Sequence, residues 1–221
     1  MPKKPAKRKA KTPKPYHHGN LVEALIAVTV EIIEERGVEH VSVREAAKRA
    51  GVSPGAPFQH FRSKTALLTA VAEQAMGRLT QAVAAAQLTA DADKPIAALE
   101  AIGRGYLQWA LTNPTHFEII NSRILIDFEA SDSLRTQNEA IRKRMFELLT
   151  QARERGQLIE GLDLNYIVLT ARALVYGLAR MAIDGHFPRW HPSEPPPQAM
   201  RQALHLFIGQ ITAGTRVAAL R

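Results

Sequence analysis

The residues whose types and spacing carry the most information lie between positions 42 and 64. Ser42-Val43-Arg44-Glu45 has the spacing of a capping box, in which a serine hydroxyl and a glutamate carboxylate each satisfy an orphaned backbone N–H at a helix start. Ala50-Gly51-Val52-Ser53-Pro54 then joins a glycine, free to take positive φ, to a serine in N-cap position and a proline at the first helical position. Two short helices crossing at this tight turn are expected, with Ala46 and Val52 packed against the helix before them. The aromatic pair Phe58 and Phe61 reads mainly as core. A serine-capped helix with its N-terminus turned outward can enter a major groove, its first residues facing base edges.

Charge is distributed to suit that chemistry. Residues 21–40 hold five acidic side chains and one basic, a balance of −4, whereas residues 41–72 hold Arg44, Lys48, Arg49, Arg62 and Lys64 against Glu45 alone, a balance of +4. The positive half contains the turn, which points to a polyanionic partner, double-stranded DNA. Catalysis is not expected: the eight histidines form no Glu-x-x-His or His-Glu-x-x-His pattern, no Gly-rich phosphate loop is present, and no nucleophile stands near a base. The reading assigns no catalytic residue, no metal site and no cofactor. With no cysteine there is neither a disulfide framework nor a thiolate metal site.

Helices must position these residues, and the spacing of apolar groups is helical throughout. Leu21, Leu25, Val28 and Ile32 line one face of a first helix that Gly37 ends. A second helix runs from Ser42 to Ala50, a short third through Phe58 to Phe61, and Ser63 caps a long fourth. Further helices are expected from Lys94-Pro95 through Leu111, from Asn113-Pro114 through Ile120, from about Ser133 to Arg155, from Asn165 to Asp184 and from Pro195 to Leu220. His191 to Pro197 reads as a loop, and no alternating strand pattern appears, so the fold class is all-α. Residues 1–15 hold seven lysines and arginines and no acid, so the formal net charge of +8 leaves about +1 for the rest of the chain. This stretch is expected to be disordered, either a solubilising tail or, as its electrostatics favour, an arm that binds phosphates. No apolar run approaches ~18 residues and Glu23 interrupts the first apolar stretch, so neither a membrane span nor a signal peptide is expected and a cytoplasmic location follows.

Residues 16–75 resemble the DNA-binding domain of the TetR family of bacterial regulators. The resemblance rests on Tyr16-His17-His18-Gly19-Asn20-Leu21, on Val41 to Ala47, on Ala50 to Ser53, and on Phe61-Arg62-Ser63-Lys64-Thr65-Ala66-Leu67-Leu68. After the basic tail over 1–15, it implies a three-helix helix-turn-helix domain over 16–65 and a long fourth helix leading into a helical ligand-binding and dimerisation domain over 66–221. It also implies that the third helix reads the major groove through Ser53, Gly55, Ala56, Pro57, Gln59 and His60, while Ser42, Arg44 and Lys64 contact phosphates. Gln59 suits a bidentate pair with adenine, and His60 can donate to guanine or a phosphate. Phe58 joins that surface but stands where the family has tyrosine, so a hydroxyl contact to phosphate is missing. Pro57 removes an N–H that would pair with the Ser53 carbonyl, so the helix should start loosely.

Beyond residue 90, Ala98 to Phe117 resembles the first half of a TetR-type ligand domain. Leu174 to Gly185 resembles the sub-family named for a Trp-His-Gly motif, with Tyr176 where histidine is usual and Arg172 where tryptophan is usual. A small-molecule effector and a homodimer built from the last two long helices are implied. The candidate lining residues are Tyr106, Trp109, Phe117, Arg123, Met145, Phe146, Tyr176 and Arg180. Of the two arginines singled out there, Arg180 has Asp184 four residues later and reads as an ordinary intrahelical ion pair; either one lining a cavity would imply an anionic ligand. The reading that follows is a ligand-released repressor of a palindromic operator; a ligand-independent architectural DNA-binding protein is the alternative.

Overall fold

Thr29 sits fully buried in the first helix of the chain because its hydroxyl donates to the Leu25 carbonyl at 2.6 Å, leaving only a methyl to pack. Leu25, Ile26, Thr29 and Ile32 form the buried face of α1 (Leu21–Arg36), so the face lies one residue round from the Leu21/Leu25/Val28/Ile32 stripe expected. The computed structural model describes residues 21–91, 93–190 and 193–213. The basic tail, the Tyr16 to Asn20 opening, and the part of the last helix expected beyond Ala213 lie outside the described residues.

The chain divides into two compact units, one ending at Leu67 and the other beginning at Leu68. In the first, α1 leads through a 3-10 turn (Val38–His40) to α2 (Val43–Ala50), and a second 3-10 turn (Ala56–Gln59) precedes α3 (Lys64–Leu88), whose first turn closes the unit. Ser42 caps α2 by accepting from the Glu45 amide at 3.1 Å, and Ser63 caps α3 by accepting from the Ala66 amide at 3.0 Å. Only half of the expected capping box forms: the Glu45 carboxylate turns instead to Arg36, 3.2 Å away.

The second unit continues α3 and adds α4 (Pro95–Thr112), α5 (Pro114–Ile120), α6 (Asp132–Glu154), α7 (Leu164–Ile183), the short α8 (Phe187–Trp190) and α9 (Pro196–Ile211). Proline opens α4, α5 and α9, where its missing N–H costs nothing. Among the described residues there is no strand, only an isolated bridge between Leu158 and Thr212 that ends α9 earlier than expected. Part of the proline-rich loop is helix, since α9 begins at Pro196. Among the described residues α7 alone is long and apolar enough to cross a membrane by length and composition. The hydrophobic run is broken by Arg172 and Arg180, and its buried side, Ile167, Val168, Ala171, Val175 and Ala179, faces the unit's own core.

Helices α3 and α4 pass close to one another at Gly105. A Cβ placed there would stand 3.0 Å from the Ala86 side chain and 3.1 Å from the Ala82 carbonyl oxygen and the Val83 Cα. Backbone atoms cannot swing aside, so the helices would have to separate. Gly105→Ala is therefore expected to lower unfolding stability by about 1–3 kcal/mol, the usual range for overpacking, measured as a reduced denaturant midpoint at unchanged m-value.

Candidate nucleic-acid interface and cavity

The turn after α2 is built as the sequence predicts. Gly51 adopts φ 70°, ψ 27°, the left-handed region. Its amide donates to the Ala47 and Lys48 carbonyls, and the Val52 amide to the Ala47 carbonyl at 3.1 Å, which satisfies the carbonyls at the end of α2. A side chain here would meet nothing within 4 Å, so the glycine answers to backbone conformation alone.

Past the turn the structure departs from expectation. The third helix is a single 3-10 turn, Ala56–Gln59, whose N-cap is Gly55, and no side chain caps it; the Ser53 cap is not made. The physical cause is Pro57. Lacking an N–H, it cannot bond back to the Ser53 carbonyl, which accepts instead from Ala56 at 3.1 Å, and Phe58 donates to Gly55 at 3.2 Å. The ladder that results is tighter than an α-helix and rotates the side chains accordingly. Pro57 is fully buried and Phe61 nearly so, whereas Phe58 is 42% exposed. The expectations for 57 and 58 are thus exchanged: Pro57 belongs to the core rather than the reading surface, and Phe58 to the surface rather than the core. Ser53, Gly55, Gln59 and His60 are exposed and Ala56 is half-buried.

The cations of this unit sort into two groups. Arg49 is held by Glu35 through both terminal nitrogens and by Glu31 at 3.2 Å, so it ties α2 to α1. The hydrogen bond from Arg49 holds the Glu35 carboxyl below the usual carboxylate range. Arg44, Lys48 and Arg62 are exposed and make no ion pair among the described residues. Lys64 is half-buried, with its ammonium donating to the Val38 carbonyl. Ser42, though a cap, keeps its own O–H free to donate.

In the second unit a cavity of about 310 Å3 opens between α3, α4, α6 and α7. Of the eight candidate lining residues, the structure places Tyr106 and Met145 on its wall. Phe117 and Trp109 are core, Phe146 is half-buried away from the wall, and Arg123 lines a separate surface depression with Asp127 and Glu129. Arg180 pairs with Glu118 and, at 2.8 Å, with Asp184, so the expected intrahelical pair forms and gains a third member. Tyr176 stacks on Phe117 with ring centres 5.7 Å apart. Burial pushes the Tyr106 phenol above its ordinary pKa, an effect that the charge of Arg172 opposes. Arg172, Asn121, Ile141 and Arg142 are among the wall residues that sequence reasoning missed. One signal was available for Arg172: positions 168, 169, 175 and 176 hold no acid, so an arginine in an apolar helix had no partner on its own helix.

With this geometry established, known proteins show what the chain is similar to. A family model described as bacterial regulatory proteins, tetR family, matches residues 25–71, and one described as tetracyclin repressor-like, C-terminal domain, matches residues 99–207. A fatty acid metabolism regulator protein of Bacillus subtilis (strain 168) is 25% identical over 164 residues, spanning 69% of this chain and 76% of that protein. The HTH-type transcriptional regulator BetI of Yersinia pestis is 35% identical over 83 residues, 38% of this chain and 42% of that protein. A protein of unknown function from Rhodococcus sp. RHA1 superposes with a TM-score of 0.75 at 29% identity, covering 90% of this chain and 99% of that one. The ketosteroid transcriptional regulator KstR2 of Mycobacterium tuberculosis superposes with a TM-score of 0.62 at 19% identity, covering 89% and 97%.

The Arg49–Glu35 pair makes a pH prediction. A carboxyl whose folded pKa is depressed contributes stability that is complete above its unfolded pKa and is lost as pH falls through the folded value. Thermal stability is therefore expected to fall as pH drops from about 5 to about 3, and to fall less steeply in Arg49→Ala, which starts lower. Melting curves of the two proteins across that range provide the check.

Proposed function

The chain belongs to the TetR family of bacterial transcriptional regulators, and from this premise we propose that it is a homodimeric repressor released from a palindromic operator by a small-molecule effector. The observation that supports DNA reading best is the left-handed Gly51 turn presenting exposed Phe58, Gln59 and His60 in a unit whose Arg44, Lys48 and Arg62 charges are uncompensated. Gln59 and His60 offer edges to bases, and Phe58 offers an apolar face to a thymine methyl or a sugar. Arg44, Lys48 and Arg62, with the Ser42 hydroxyl and the Lys64 donors that remain, set register on the phosphates.

A dimer is what a palindrome demands, since two reading segments must lie about 34–36 Å apart. The face of α7 turned away from its own core supports one. Tyr166 is 70% exposed, Ala173 is exposed two turns further on and Leu206 is exposed on α9, while Leu169, 62% exposed, also lines the cavity and Tyr176 packs one ring face on Phe117. Apolar groups in such a row are normally covered by a partner, and a second copy of the same pair of helices makes a four-helix interface. The effector occupies the cavity lined by α3, and α3 continues without a break from the DNA-binding unit, so displacement of this helix carries the signal. Couplings of this kind are typically worth ~1–3 kcal/mol. The cavity also favours an effector-responsive protein over a purely architectural one, because architectural duty gives no reason to keep it.

Electrophoretic shifts of full-length protein on the intergenic DNA upstream of its own gene provide the test. A complex that survives heparin is expected, and binding no better than to heparin would end the proposal. Arg44→Ala is expected to weaken binding to every sequence alike and to reduce the slope of log affinity against log salt by about one. Gln59→Ala is expected to leave that slope unchanged while relaxing preference at one base pair by about 1–3 kcal/mol, read by competition among operator variants.

A further inference from the structure

The larger cavity and an adjoining one of about 50 Å3 share four wall residues, Tyr106, Ile141, Met145 and Arg172. No aspartate or glutamate lines either. The two arginines on the larger wall differ in how their charge is matched. Arg142 grips Glu139 through two hydrogen bonds of 2.8 Å, within its own helix. Arg172 donates to two neutral acceptors, the Tyr106 hydroxyl at 2.7 Å and Asn121 Oδ1 at 3.2 Å, and makes no ion pair among the described residues. Its guanidinium carbon lies 5.0 Å from the centre of the Tyr106 ring and 5.5 Å from that of Tyr176. Two hydrogen bonds and two ring faces thus hold the planar group in place while three of its five N–H donors take no acceptor among the described residues.

We infer that the cavity recognises a small amphipathic carboxylate, its head on Arg172 and its apolar body along Ile141 and Met145. The inference rests on the effector reading above and gives that effector a chemical class. One unmatched positive charge calls for a monoanion, and a planar fork of N–H donors fits the two oxygens of a carboxylate. The remaining walls are dominated by aliphatic and aromatic side chains, as in ligand pockets generally. At about 30 Å3 for each water-sized group, the 310 Å3 cavity holds roughly ten such groups. Octanoate is of that size.

Isothermal titration of the full-length protein without DNA, using octanoate, octan-1-ol and octylammonium, tests this. Octanoate is expected to bind at least tenfold more tightly than the alcohol, the ammonium at least tenfold more weakly than the alcohol, and only octanoate affinity should fall as salt rises. Arg172→Gln should bring octanoate down to the level of the alcohol while alcohol affinity stays that of the wild type, which reports an intact cavity. Should that variant not fold, the wild-type ranking and its salt dependence decide the matter. Alcohol binding as tightly as octanoate, no binding of any probe, or an octanoate preference that survives Arg172→Gln would overturn the inference. Specific DNA binding without octanoate preference would strike this inference alone, and octanoate preference without specific DNA binding would strike the operator reading alone.

Discussion

Every placement in the DNA-binding unit follows from how the chain leaves α2. The carbonyls of Ala47 and Lys48 are closed by the Gly51 and Val52 amides, and this closure requires Gly51 to be left-handed. The chain is thereby turned at a fixed point, four residues before Gly55. From there Pro57 imposes a second constraint, the loss of an amide in the next turn. A 3-10 turn forms in place of an α-helix, and its steeper rotation buries Pro57 against the core and turns Phe58 outward. The exposed surface of this segment thus depends in part on one missing hydrogen-bond donor.

Electrostatics then divide labour among the basic residues. Arg49 spends its charge inside the unit, gripping Glu31 and Glu35 on α1, and so ties α2 to α1. Arg44 and Lys48 lie on the same short helix with no acid to hold them and remain available to a polyanion. A tally of charge by segment treats the three alike. Only the distances separate a structural arginine from a ligand-facing one.

The same contrast recurs in the second unit. Arg180 is neutralised twice over by Glu118 and Asp184, whereas Arg172, two turns earlier on α7, is given only a phenol, an amide oxygen and two ring faces. Arg172 is itself exposed, so water serves the donors that its own chain leaves open, and an anion in the adjoining cavity would take the place of that water. The outer stripe of α7 is unfinished in another way, with Tyr166 and Leu169 left to water by their own chain. The exposed side of one helix thus carries both a cation without a counter-charge and an uncovered apolar stripe.

Much of this was legible in the sequence because it depends on local rules. Prolines 95 and 114 marked helix starts, Gly51 and Ser63 marked a turn and a cap, and the period of apolar residues gave an all-α chain with most boundaries within a residue or two. Motif residues 41–53 and 61–68 were enough to suggest the family, since the geometry they encode is set within a few residues. What local rules do not contain is which oxygen a long side chain finds. Glu45 turning to Arg36, Lys64 reaching the Val38 carbonyl and Arg49 spanning to Glu31 and Glu35 all join positions nine or more residues apart. The exchange of Pro57 and Phe58 between core and surface belongs to the same class, because the sense of rotation was decided by packing as well as by the missing amide. Arg172 was visible as an arginine without a partner on its own helix, but only the meeting of α4, α6 and α7 around it made a cavity. Sequence alone determined the elements and the kind of chemistry, because hydrogen-bond periodicity and capping act over one or two turns. Tertiary structure decided which charges are spent and which are left free, because that depends on distances across helices.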